Sequence, residues 1–136
     1  MSLKIIKAGI LDTIQDPGRY GYQHLGINPG GAMDKFSAQI ANMLAGNNIN
    51  EAVIELHFPS SVIIFQEPAL IALSGADFFA SLNGEKIPVL HPVLVNKNSI
   101  LQFHEAAKGA RAYLSVKGGF EIGKWMNSYS TNIKAK

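Results

Sequence analysis

Hydrophobic positions change their period part-way along the chain. Between residues 34 and 45 they recur at helical spacing, with Phe36, Ile40, Met43 and Leu44 forming one stripe. Asp34 precedes the stripe and is a natural N-cap, because its carboxylate can accept from the free N–H groups of the first turn. Gly46 follows, suited to the left-handed residue of a C-cap. These signals predict one helix from Asp34 to Ala45. After Asn50 the spacing shortens. VIEL, SVIIF, ALIALSG, ADFFASL, PVLV, SILQF and ARAYLSV are short runs rich in Val, Ile, Leu and Phe. Turn residues separate them at Pro59-Ser60, Glu67-Pro68, Asn83-Gly84, Asn96-Lys97-Asn98 and Lys108-Gly109. Asn83-Gly84 is the sharpest hairpin signal, since a type I′ turn needs positive φ twice. Leu3 to Ala8 adds a further strand, and Gln15 to Gly21 (QDPGRYG) reads as a turn. Short strands at this spacing predict a mostly-β fold, a barrel or sandwich with the helix covering one opening.

Composition narrows the picture. The chain has 136 residues, 47% of them hydrophobic and 16% charged, which is enough for one globular domain spanning 1–136 with a real core. No repeat, linker or low-complexity segment divides it. The net charge of +2 is too small, and its Lys and Arg too scattered, to argue for nucleic acid. The absence of cysteine excludes a disulfide framework, a thiolate metal site and a cysteine nucleophile. The N-terminal residues lack the apolar core of a signal peptide. No apolar run approaches the roughly 20 residues of a membrane span. A cytoplasmic protein with no membrane partner is the expectation.

Several constellations carry candidate chemistry. Gly30 and Gly31 let the backbone turn sharply and point N–H groups into a concavity, with a helix following. The stretch lacks the Gly-Lys-Ser/Thr of a P-loop and the G-x-G-x-x-G of a dinucleotide site. A tight turn before a capped helix is the plain alternative. Gln15, Asp16 and Arg19 cluster in TIQDPGRYG, where Arg19 can either close the turn on Asp16 or grip a carboxylate with its planar fork. Glu55 and His57 share one face of a strand, as an acid/base pair or as a polar strand edge. His24, His57, His91 and His104 show no ligand spacing, so no metal site is expected. Asp77 in SGADFF is a candidate or a turn residue. Arg111 opens the strand ARAYLSV as a rim ligand or a surface charge. Ser128, Ser130 and Thr131 form a hydroxyl-rich stretch suited to a polar substrate or to an exposed loop.

Taken in order, GILDTIQDPGRYGYQHLGINPGGAMDKFSAQIANMLAGN, AVIEL, LSGAD, GARAYLSVKGGF and SYST resemble the KipI antagonist (KipA) family. The family is also called allophanate hydrolase subunit 2 or biotin-dependent carboxyltransferase-like, and it includes one subunit of bacterial 5-oxoprolinase. The resemblance implies a cyclophilin-like closed β-barrel with one main α-helix. It implies a KipI-like companion subunit and, in 5-oxoprolinase, a further YcsF-like subunit. That assembly uses ATP to open 5-oxoproline to glutamate, and a related module pair brings carboxybiotin to urea. The chain alone is expected to bind no cofactor, with ATP used by the assembly and biotin possible. The expected substrate is a small amide or lactam. By resemblance, Asp16 and Asp34 would be catalytic, orienting the substrate or taking a proton. Gln15, Arg19, Gly30, Gly31, Arg111, Ser130 and Thr131 would bind it, with Arg19 on a carboxylate and the Gly30-Gly31 N–H groups on a carbonyl. Met33, Asn42, Glu55 and Asp77 also match the family. Two departures stand out. Tyr129 occupies the place of an arginine in a stretch that the family reads close to Gly-Ser-Arg-Ser-Thr. Family members also carry a C-terminal half that this sequence lacks, so the chain alone is expected to be inactive. The rival expectations are a non-catalytic regulator that binds a KipI-like histidine kinase inhibitor, and an inert truncated relative.

Overall fold

The computed structural model describes residues 2–7, 13–15, 34–105, 111–120 and 132–134. They form two antiparallel sheets with one helix on the outside of the second. The first sheet contains β1 (Ser2–Lys7), β4 (Val62–Phe65), β6 (Ala80–Leu82), β7 (Glu85–Lys86), β9 (Ile100–Phe103) and β11 (Asn132–Lys134), in the order β11-β1-β4-β9-β6-β7. The second contains β2 (Thr13–Gln15), β3 (Val53–Leu56), β5 (Ala69–Gly75), β8 (Val93–Val95) and β10 (Ala112–Val116), in the order β2-β3-β10-β5-β8. Helix α1 (Lys35–Leu44) packs on β3, β5 and β10. Among the described residues no helix is long and apolar enough to cross a membrane.

Alternation decides which side chains meet. Ile54 and Leu56 of β3, Ile71 and Leu73 of β5, and Leu114 and Val116 of β10 bury on one face of the second sheet. Leu3, Ile63, Phe65 and Leu101 meet them from the first sheet, and Phe78 and Phe120 complete the core. The Asn83-Gly84 signal holds: both residues have positive φ, 51° and 85°, and they join β6 to β7 with Ser81 opposite Lys86. The expected closed barrel is corrected. Among the described residues the strands divide into two sheets, each with its own outer strands, and no ladder closes a ring. The mostly-β character with one helix stands.

The helix has the expected limits but not the expected face. Asp34 caps it, Ala45 is its C-cap, and Gly46 follows at φ 78°. The buried face is Ala38, Ala41, Asn42 and Ala45. Phe36 is 71% exposed and Met43 63% exposed, so much of the bulky stripe points outward. The reason lies in the sheet below. The outer faces of β3, β5 and β10 already carry Val53, Glu55, Ser74, Tyr113 and Ser115. Small helix residues let the two layers approach closely enough for Ser74 Oγ to donate to the Ser37 carbonyl.

Candidate functional site

Because β10 lies between β3 and β5, register places three polar residues in one row. Glu55 of β3 stands opposite Tyr113 of β10, and Tyr113 stands opposite Ser74 of β5. All three are buried on the face that α1 covers. The Tyr113 hydroxyl donates to Glu55 Oε2 at 3.0 Å and accepts from the Asp34 backbone N–H at 2.8 Å. One phenol thus ties a buried carboxylate to the N-terminus of the helix. Burial pushes the Tyr113 pKa well up, and the nearby Glu55 carboxylate adds to the shift. Tyr113 is therefore a stable neutral donor.

Glu55 also faces Arg111, whose Nε lies 3.5 Å from Glu55 Oε1. The Glu55 side chain is 8% exposed and that of Arg111 27%, so the cation reaches outward from a buried anion. Gly75 fixes where Arg111 sits. It has a φ of 80°, and a Cβ there would stand 2.7 Å from the Arg111 carbonyl oxygen and 3.2 Å from the Tyr113 ring. Beside it, the Ala76 N–H donates to that same Arg111 oxygen at 2.9 Å. LSGAD, GARAYL, AVIEL and the Asp34 end of GGAMD, four stretches far apart in sequence, therefore meet at one point.

Asp34 is committed to the helix. Its Oδ1 accepts from the Ser37 N–H at 3.0 Å and its Oδ2 from the Ser37 hydroxyl at 2.7 Å. The Ser37 hydroxyl and then its N–H hold the carboxyl below its usual range. A carboxylate held this way orients better than it accepts a proton. At the other end of α1 the Asn42 amide donates to the Glu51 and Ile49 carbonyls, and Ser115 Oγ donates to Asn42 Oδ1. Asn47 donates to the Val116 carbonyl and accepts from the Gly118 N–H, fastening the Gly118-Gly119 turn.

Of the residues expected to form the site, Asp34 and Arg111 are brought together, through Tyr113 and Glu55. Gln15 closes β2 opposite Val53. Asp16, Arg19, Gly30, Gly31, Ser130 and Thr131 lie outside the described residues. Asp77 accepts from the Phe79 N–H at 2.8 Å and serves a turn. Tyr113 and Ser74 were not singled out in the sequence. Their signal was present all the same: Ser74 is a single polar side chain in the apolar run of β5, and Tyr113 and Ser115 alternate with apolar residues in β10.

Residues 25–136 match the carboxyltransferase domain, subdomain A and B. This chain belongs to that family. The carboxyltransferase-domain chain is 37% identical over 131 residues to the urea amidolyase of Saccharomyces cerevisiae, spanning 96% of this chain and 7% of that protein. It is 34% identical over 132 residues to a 5-oxoprolinase subunit of Escherichia coli, spanning 97% of this chain and 43% of that protein. The crystal structure of the K. lactis urea amidolyase superposes with a TM-score of 0.80 at 33% identity, covering 96% of this chain and 8% of that one. The chain thus spans less than half the length of each of these relatives.

Proposed function

We propose that this chain is part of an enzyme assembly acting on a small amide or lactam, and that it works as a carboxyltransferase-type component of an ATP-dependent 5-oxoprolinase. In this reading the assembly also contains a KipI-like companion subunit and a YcsF-like subunit. The observation that carries it is the match to the Escherichia coli 5-oxoprolinase subunit along 97% of this chain, making up 43% of that protein. The urea amidolyase match covers a far smaller share of its own protein, 7%. It keeps a biotin-dependent carboxyltransferase as the related alternative.

The roles follow the chemistry of opening a lactam. A planar cation holds the substrate carboxylate, and Arg19 and Arg111 are the candidates. Backbone N–H groups at Gly30 and Gly31 polarise the lactam carbonyl. Asp16 takes or returns a proton, and Asp34, held by Ser37, orients the glycine turn. Gln15, Ser130 and Thr131 add polar contacts to the substrate. ATP is consumed by the assembly. At the Arg111 site a cation paired with a buried carboxylate suits an anionic ligand, which the ureido ring of biotin becomes only when it is carboxylated. The deciding experiment mixes the chain with KipI-like and YcsF-like subunits and measures ATP hydrolysis against 5-oxoproline. Hydrolysis that needs both 5-oxoproline and this chain supports the reading. Hydrolysis indifferent to the chain, or carboxylation of urea from carboxybiotin instead, refutes it.

A further inference from the structure

We propose that Arg111 is a carboxylate-binding residue and that Glu55 is its positioning partner, so that the site selects substrates bearing a carboxylate. As to the substrate this rests on the 5-oxoprolinase reading, but the binding group is assigned on geometry. Arg111 Nε is buried, 3.5 Å from Glu55 Oε1, while the side chain as a whole keeps 27% of its surface. The exposed part therefore lies away from Nε. Among the described residues Glu55 is the ion-pair partner of this guanidinium. Its terminal NH2 groups are left to form the parallel pair of N–H donors that a carboxylate accepts.

The surroundings hold that fork still. Glu55 is 6% exposed, and its other oxygen, Oε2, takes the Tyr113 hydroxyl at 3.0 Å. The hydroxyl in turn is fixed by the Asp34 N–H at 2.8 Å. The Arg111 backbone is fixed separately, by the Ala76 N–H on its carbonyl and by the close approach of Gly75. A long side chain held at its backbone, with its Nε buried 3.5 Å from the Glu55 carboxylate, loses little further freedom when a ligand arrives. A guanidinium paired with one carboxylate still offers a second anion a directed site, because a fork has two faces of donors. Lysine in this position would keep the charge and lose the geometry.

The test titrates the full chain by NMR with 5-oxoproline and with 2-pyrrolidinone, the same lactam without its carboxylate. Arg111→Gln, Arg111→Lys and Glu55→Gln are run beside the parent, each first checked for a native spectrum. The expected result is preference for 5-oxoproline in the parent. Arg111→Gln should weaken 5-oxoproline binding by about tenfold or more, and Arg111→Lys should restore only part of it. The weak binding of 2-pyrrolidinone should not change. Glu55→Gln should narrow the preference between the two compounds, an effect that a merely structural role would not produce. The comparison of the two compounds on the parent needs no variant and guards against one that fails to fold. Equal binding of both compounds by the parent, binding of neither, or an Arg111→Gln variant that binds like the parent would overturn the assignment. If the preference stands while the reconstituted assembly hydrolyses no ATP with 5-oxoproline, the reaction assigned above fails and the carboxylate site survives.

Discussion

The Tyr113 hydroxyl joins two groups, the Glu55 carboxylate and the Asp34 N–H, and its removal has a definite cost. Tyr113→Phe keeps the ring that packs beneath α1 but takes the donor from Glu55 and the acceptor from the Asp34 N–H. A buried carboxylate losing a hydrogen bond costs about 1–3 kcal/mol, to be read from urea denaturation midpoints. The same phenol sets a pH dependence. Its folded pKa is raised, so its contribution is fully present below the ordinary value of 10.0 and is lost as pH rises through the alkaline range. Stability should fall above pH 10 in the parent and less steeply in Tyr113→Phe. Asp34 has the opposite sign. Its folded pKa is lowered from 3.8, so its contribution is present at neutral pH and is lost as pH falls through the acidic range. Asp34→Ala should cost on the order of 1 kcal/mol at pH 7, and less in acid. A denaturation series at several pH values checks both signs together.

At the scale of elements, α1 and the turn after β5 make contrasting demands. The alanine face of α1 meets the sheet closely, so Ala38→Leu or Ala41→Leu should force the layers apart and cost roughly 1–3 kcal/mol. Phe36 and Met43 stand on the outer face, so Phe36→Ser and Met43→Ser should move stability by within about 0.5 kcal/mol. A thermal melt of the four variants separates the two faces. Gly75 is the tightest point: Gly75→Ala must place a Cβ against the Arg111 carbonyl at positive φ, and should destabilise by roughly 1–3 kcal/mol. Why the helix face departs from the stripe follows from the same contrast. Periodicity reports a stripe of bulky residues, but the sheet below is already filled by Tyr113 and Val53, and no spacing rule reads the room left on a partner's surface. Helix limits were legible because Asp34 and Gly46 act locally.

For the whole molecule, the sequence was informative where the cause is short-range. The strand runs, the Asn83-Gly84 hairpin and the cap at Asp34 were all readable from neighbouring residues. The division into two sheets was not, since it depends on which strands pair across the fold; β5, for example, pairs with β8 and β10 rather than with its neighbours in sequence. The site behaved likewise. Arg111, Glu55 and Asp34 were each visible as candidates, while their assembly through Tyr113 required the register of β3 against β10. Asp16, Arg19, Gly30, Gly31, Ser130 and Thr131 lie outside the described residues, so their roles rest on resemblance.

The bond between Asp34 and Tyr113 spans 79 residues, and those from Asn42 to Ser115 and from Asn47 to Gly118 span 73 and 71. On a ribosome moving at roughly 5–20 residues per second, the helix waits several seconds for the strand that will hold its first turn. During that interval the sheet beneath its alanine face lacks its central strand, β10, which joins β3 to β5. Refolding from denaturant should accordingly be slow, in the millisecond-to-second range of proteins dominated by distant pairings. Stopped-flow refolding that finishes within microseconds would contradict this history.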